Sequence, residues 1–538
     1  MKKEEMKRMK KFLACMLAVV MLFSVLACTG TATPAQTNTT ESGSTSSGNS
    51  GEASAPSEVT IDGITYHPAT DLTKDNITLT YFHFDQDETV KALADRFMQL
   101  YPNIKVVTEY ENVSTYNDTL LTLVASGKTP DVVMFSDADF ALSNFLPMDV
   151  SEYWNADPET KELASTINDA GIGTFMTSKR YAVPVKFFPG IFLIDRNVLK
   201  TLNIEAPGQD WTWKEMIDLI KKATVLDSPD GMAYYGLGVY NRLDSYYGIA
   251  ASQNIIGEFG FDGKHFNLGV WAVGEQEFAD LKLGGYVAPA TETQANEDWT
   301  GDWEAWYGAT GHVAMFSDAF WTYQNTWGTE NFDQYNLDVV PYVVPAVSEE
   351  DAKADHHSIA TIDFGGVTNG CAHPREAYEL LKFMSYGKDG WKTRIALYSD
   401  PNAVNASGMR LKNDVMPCPL TTDQEIWEGY IGVYCEGMDE EHTELWRNYF
   451  KSCLQPIPFG WTSIAGYWNY CDEYFNKIDI HRLVDSGTSK AADYADEATR
   501  KADYFHATAM LNYFGPSGYN VLSDAEIAEY QQIQADNQ

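Results

Sequence analysis

The sequence predicts an α/β protein whose folded body, from about residue 58 to residue 538, divides into two lobes. Two observations lead there. Strand-like and helix-like periodicities alternate from Ile77 onward, which is the pattern of a parallel sheet with helices on its faces. The body is also longer than one core usually serves, since single hydrophobic cores stop growing at roughly 250–300 residues.

The elements follow in order. Ile77–Phe84 is an apolar run that reads as a strand, and Asp85 and Asp87 after it read as helix-start residues. Val90, Leu93, Ala94, Phe97 and Met98 recur at helical spacing until Pro102 stops them. Ile104–Tyr110 reads as a second strand, residues 116–126 as a helix, and Val132–Phe135, after the turn Gly127–Asp131, as a buried strand. Thr212 and Glu215 have capping-box spacing, so a helix starts there. Ala377, Leu380, Leu381 and Met384 share one face of a helix from Pro374 that Gly387 ends.

Ahead of the body lies an export signal. Six basic residues precede an apolar run from Phe12 to Ala27, which is short for a membrane span and fits a signal peptide over residues 1–27. Val25-Leu26-Ala27-Cys28 resembles a bacterial lipobox, which makes Cys28 the lipid-bearing first residue of the mature chain; ordinary secretion is the alternative. Residues 29–57 contain no aromatic residue and no Val, Ile or Leu, so they cannot bury a core and form, with Cys28, a flexible tether over 28–57.

Charge and composition exclude several partners. The formal net charge of −38 disfavours nucleic acid and anionic lipid headgroups. Cys371, Cys418, Cys435, Cys453 and Cys471 are widely and irregularly spaced, without a Cys-x-x-Cys, and read as buried small hydrophobes with at most an incidental bridge or two. There is no Gly-x-Ser-x-Gly, no His-Glu-x-x-His and no phosphate-cradling loop. His356, His357, Asp363 and His373 are too loosely spaced to favour a metal, so neither metal nor cofactor is expected. The acidic groups Asp85-Asp87-Glu88 and Asp137-Asp139 remain open to three readings: glycosidase carboxylates, calcium, or hydrogen bonding to a ligand.

Several segments in their chain order resemble the family 1 extracellular solute-binding proteins of ABC importers, the group that includes maltodextrin-binding receptors. They are Gly127–Asp131, Tyr181–Pro184 with Phe192–Asp195, Thr212–Glu215, Gly311–Phe316 with Asp318–Trp321, Val340–Val344, Phe364–Asn369 with the helix from Pro374, and Ser486–Asp503. The resemblance implies a two-lobed periplasmic-binding-protein-like fold with an interlobe cleft and crossing hinge strands. Its lobes would be 58–187 with 345–455, and 188–344 with 456–538. Residues 405–453 match the pattern poorly.

The resemblance implies a monomeric carbohydrate receptor without catalysis, lipid-anchored outside the cell and docking an ABC permease. Ligands of open α/β sheets sit beyond the carboxyl ends of the strands, which makes His83, Phe84, Asp85, Ser136 and Asp137 candidates. Lys186, Phe187 and Phe188 fall at the implied crossover. Trp321, with Asp318 ahead of it, matches the family's sugar-stacking position, and Tyr240 and Trp461 are further aromatic candidates. Gly365 and Gly366 either admit a close backbone approach or serve a turn. A surface-anchored glycosidase, and a sensing or adhesion lipoprotein on the same fold, are the alternative functions.

Overall fold

The computed structural model describes residues 58–538 except 170, 172, 239–242, 252–255, 289–310, 321–335, 349–357, 415 and 462, and at 169, 249, 318 and 319 it describes the backbone only. Cys28 with its lipobox and tether, Tyr240, Trp321, His356 and His357 therefore lie outside the described residues.

A short antiparallel hairpin, β1 (Val59–Ile61) and β2 (Ile64–Tyr66), precedes the main sheet. The first predicted elements form as the periodicity requires: β3 (Ile77–His83), α1 (Asp87–Leu100), β4 (Ile104–Tyr110), α2 (Tyr116–Ala125), β5 (Val132–Phe135) and the short α3 (Ala138–Ser143). Val90, Leu93, Ala94 and Phe97 are the buried face of α1. One detail differs from the expectation. Gln86, not Asp85, stands at the N-cap of α1, and no side chain caps it, because Asp85 faces a buried ion pair instead.

Next comes the strand on which the molecule turns, β6 (Val183–Asp195), buried along all its 13 residues. It is followed by α4 (Trp213–Ala223), β7 (Tyr235–Leu237), α5 (Asp244–Ala251), α6 (Leu268–Leu283), β8 (Val313–Ala319), β9 (Val339–Tyr342) and β10 (Ile359–Val367). The capping box of α4 is present as read: Glu215 N–H donates to Thr212 Oγ1, and Thr212 N–H donates to Glu215 Oε2 at 2.7 Å. Then follow α7 (Pro374–Met384), α8 (Lys388–Ser399), α9 (Gln424–Tyr434), α10 (Glu440–Ser452), β11 (Ile457–Pro458), α11 (Tyr467–Tyr470), α12 (Ile480–Asp485), α13 (Ala492–Phe514) and α14 (Asp524–Asp536).

The main sheet has the order β4-β3-β5-β10-β6-β8-β7, with β11 against β10 and β9 against β6. It is mixed rather than purely parallel. The β4-β3-β5 group is parallel, but β10 runs antiparallel to both β5 and β6, and β6 runs antiparallel to β8 and β9. The reason is that β6 and β10 are crossing strands. The first half of β6 pairs with β10, and its second half, from Gly190, pairs with β8 and β9.

Packing follows this division. Leu79, Leu93, Phe97, Val132, Val133, Leu381 and Trp391 belong to one core; Phe192, Ile194, Trp211, Met216, Ile220, Met315 and Val340 belong to a second. A third cluster, around Phe259, Trp271, Tyr470 and Phe475, lies between α6 and the C-terminal helices. Near the chain end Met510, Phe514, Tyr530 and Ile533 join the first core.

Gly366 of β10 shows how tightly the crossing strands are packed. A Cβ there would lie 2.6 Å from the Phe135 ring and 3.0 Å from the Tyr181 carbonyl oxygen. Gly366→Ala is therefore expected to lower stability by about 1–3 kcal/mol through overpacking. A shift of the urea midpoint to lower concentration, with an unchanged slope, is the outcome to look for.

Candidate functional site

β3 and β5 are parallel neighbours, so their carboxyl ends open side by side and set the residues that follow them at one edge of the first core. His83 closes β3 inside the protein. Its ring is fully buried, stacks on Tyr81 at 5.3 Å and lies 5.9 Å from Tyr110. Burial pushes its imidazole down to about 4, so it is neutral at neutral pH. Phe84 emerges half-buried, edge-on to Tyr116 at 4.9 Å.

Asp85 turns toward the crossing strands. The Lys186 ammonium lies 3.4 Å from Asp85 Oδ1 and 3.3 Å from Asp363 Oδ2, and it faces the Phe84 and Phe188 rings at 5.2 and 5.5 Å. Arg394 of α8 lies 3.9 Å from Asp85 and donates to the Met384 carbonyl at 2.7 Å. Burial alone would raise the Asp85 carboxyl, but Lys186 and Arg394 outweigh it and hold the group below its usual range. Burial likewise opposes the Lys186 charge, and the two aspartates outweigh that and raise its pKa. At Asp363 burial wins over the pull of Lys186, and the carboxyl is raised. Lys186 and Asp363 are direct register partners in β6 and β10, beside an irregularity between Asp363 and Phe364.

After β5, Ser136 Oγ donates to Asp137 Oδ2 at 2.9 Å, and Asp137 Oδ1 caps α3 by accepting from Phe140 N–H at 2.7 Å. Burial raises the Asp137 carboxyl. Asp139, two residues on, accepts the Gly466 N–H at 2.7 Å, and burial pushes its carboxyl up to about 6. Gly466 has φ 84 and sits against the Phe505 carbonyl, a turn that no side chain would fit. This turn delivers Trp468 to the surface at 39% exposure, 6.3 Å from the half-buried Trp461 ring. Asp139 of α3 thus holds the turn that leads to the exposed Trp468 ring.

The candidates sort by these contacts. Phe84, Asp85, Lys186 and Phe188 come together at the crossing strands, and Ser136 with Asp137 at the end of β5. His83, Phe187, Gly365 and Gly366 are packed within the sheet, and the Phe187 carbonyl accepts the Cys418 N–H at 2.9 Å. The backbone of Asp318 pairs with Ile191. Asp139 and Trp468 were not among the candidates read from the sequence. Asp139 had a signal, its place in the Asp137-Asp139 pair; Trp468 had none, because only its exposure separates it from the buried aromatics around it. Elsewhere, Asp244, Glu275 and His481 bring one donor atom each within 4.8 Å of one another. They are engaged inside the protein: Trp271 Nε1–H donates to Asp244 at 2.9 Å, and His481 shares a hydrogen bond with Glu275 at 3.0 Å.

Two α/β cores joined by crossing strands, with carboxylates at the strand ends, define a two-lobed solute-binding architecture. The chain belongs to the bacterial extracellular solute-binding protein family, whose model matches residues 84–385, more than half of its length. Among solved structures it is similar to an ABC substrate-binding protein from Listeria monocytogenes in complex with cycloalternan, at 18% identity and a TM-score of 0.54 over 80% of this chain and 98% of that one. It is likewise similar to the sugar-binding protein MalE of Xanthomonas citri, at 13% identity and a TM-score of 0.56 over 80% and 98%. An uncharacterized lipoprotein of Streptomyces antibioticus, encoded in the oleD 5′ region, is 29% identical over 146 residues, which are 26% of this chain. The match spans 31% of that relative's length.

Two predictions follow from the buried charges. Lys186→Met leaves Asp85 and Asp363 without their shared cation, and removing one partner of a buried ion pair costs about 3–5 kcal/mol. Denaturant melts should show that loss, with part of it recovered in Lys186→Met/Asp363→Asn. The second concerns His83. Its folded pKa lies below that of the unfolded chain, so the unfolded state takes up the proton first and stability is lost as pH falls from about 6.5 towards 4. Relative to His83→Gln, the wild type should therefore lose up to about 3 kcal/mol over that window. Parallel melts at pH 4.5 and pH 7.5 check it; equal differences at both would refute it.

Proposed function

We propose that this chain is the carbohydrate receptor of an ABC importer, held at the outer face of a bacterial membrane by a lipid on Cys28 and carried on the tether that follows. Its lobes are 58–187 with 345–455 and 188–344 with 456–538, the last helices returning to the first core. The observation that carries the reading is the exposed Trp468 ring, paired with Trp461, on the segment whose Gly466 amide Asp139 of α3 holds. A sugar presents hydroxyls at its edge and an apolar C–H face, so it needs in-plane acceptors and an aromatic floor together. The family membership and the sugar-related neighbours agree with this.

Under this reading Phe84, Ser136, Asp137, Asp139, Trp461 and Trp468 contact the ligand, and so do Asp318, Trp321 and Tyr240, as the family resemblance implies. Asp85 and Lys186 hold the floor between the lobes. No bond is made or broken. Lobe rotation about β6 and β10 buries the ligand, the closed form is favoured because it alone touches the sugar from both sides, and the permease reads that closed shape.

A thermal-shift screen against mono- and oligosaccharides tests the function, since a ligand that binds only the folded state raises its melting temperature with concentration. With the sugar so found, Trp468→Ala should cost roughly 2 kcal/mol of binding, about thirtyfold in affinity. Its melting temperature should barely change, because the ring is largely outside the core. Calorimetry showing unchanged affinity would remove Trp468 from the site, and a library in which no sugar moves the melt would remove the carbohydrate.

A further inference from the structure

Residues 400–453 do not form a separate lobe. They lie across the crossing strands and hold both cores. Toward the first core, Trp391 of α8 meets Tyr430 of α9 at 6.3 Å, and Leu163 bridges Thr421. Phe320 at the end of β8 packs on Tyr434, Trp446 and Phe450 within that same core, while toward the second core Leu445 of α10 packs on its apolar cluster; His442 of α10 meets Asp338 at 3.0 Å and Glu441 pairs with Arg196. At the crossing itself the Tyr449 hydroxyl donates to the Gly190 carbonyl at 3.0 Å, at the residue where β6 passes from β10 to β8.

Two cysteines meet at the base of this segment. Cys418 is bridged to Phe187 of β6, and Cys453 is the C-cap of α10. Both are buried thiols, at 0% and 2% exposure, and the Cys453 thiol lies close enough to act on the Cys418 thiol. Cys418 Sγ lies 3.3 Å from the Tyr430 hydroxyl, and Cys453 Sγ lies 3.9 Å from the Tyr449 carbonyl, so both sulfurs sit between α9 and α10. The other cysteines have different neighbours: Cys371 contacts Asp131, Cys471 contacts Tyr467, and Cys435 lies by Arg447 and Lys412.

We propose that Cys418 and Cys453 are a disulfide site, and that in the exported protein the bond between them staples the 400–453 segment over the crossing strands. An extracellular setting permits such bonds where a cytosolic one opposes them. The oxidant is a disulfide, either glutathione disulfide or the disulfide of an oxidoreductase. One cysteine thiolate attacks a sulfur of that disulfide and expels a thiolate; the second cysteine, losing its proton, then attacks the mixed disulfide and releases the other oxidant sulfur. Two electrons pass to the oxidant, which leaves as two thiols. In the packed state neither thiol is accessible, and burial pushes the Cys418 thiol far above its ordinary range, so exchange precedes final packing. Once formed, the bond is shielded from reductant by the same packing.

The test uses the full-length protein, expressed with its leader and isolated from the cell surface with iodoacetamide present from lysis onward. Unreduced peptide mapping should give one crosslinked species containing Cys418 and Cys453, with Cys371, Cys435 and Cys471 alkylated. Cys418→Ala, Cys453→Ala and the double variant should melt a few degrees lower than the oxidised wild type and close to one another, since each removes the same bond. Alkylation of all five cysteines, or a crosslink between any other pair, overturns the proposal. The mapping needs no ligand, so failure of the carbohydrate reading leaves this result unaffected.

Discussion

The architecture depends on the pairing of β6 with β10. These strands carry the chain between the two cores, and over their shared stretch they are buried nearly throughout. A fully buried pair of strands leaves no room for water to satisfy stray polar groups, yet Lys186 and Asp363 are placed opposite each other within it. The Lys186 charge is tolerable because Asp85, arriving from the end of β3, meets it from a third strand. Three segments far apart in the sequence are thereby locked at one point: the first strand group, the first crossing and the second crossing. Replacement by a hydrophobic trio is often as stable, so the geometry suggests registration of these strands rather than raw stability as the benefit.

The candidate site grows outward from this point. Ser136 and Asp137 are placed by the end of β5, and Asp137 is oriented by the cap it makes on α3. Asp139 then takes the amide of Gly466 from a segment more than three hundred residues later, which fixes where the Trp461 and Trp468 rings stand. A neutral, hydroxyl-rich ligand suits such a surface better than an ion. Lys186 at the crossing strands is paired with two aspartates, and the carboxylates of Asp137 and Asp139 are shifted upward by burial.

The segment over the hinge adds a second constraint. Crossing strands alone leave two lobes free to rotate, whereas the aromatic cluster of Tyr434, Trp446, Tyr449 and Phe450 binds α9 and α10 to residues on both sides of the crossing. Each ring has an apolar surface to bury, and together they tie the segment to the sheet at the place where rotation would be centred.

Much of the fold was legible in the sequence, and the reasons are local. The strand and helix periods from Ile77 to Phe135, the Thr212–Glu215 capping box and the buried face of α7 depend on neighbours a few residues apart, so the chain declares them directly. The Asp85 carboxylate shows where this stops. By sequence it is a helix-start residue, and only the arrival of Lys186 draws it away from that role. The direction of β10 was equally hidden, because parallel and antiparallel strands carry the same alternation and differ only in their partners. Trp468 could not be told from the aromatics that fill the cores, since composition says nothing of which ring reaches the surface. The sequence by itself therefore determined the α/β class, its elements and their order. Tertiary structure alone decided which charges meet, which rings stay exposed and how Cys418 comes to face Cys453, because these depend on contacts between residues too distant in the chain for any local pattern to record.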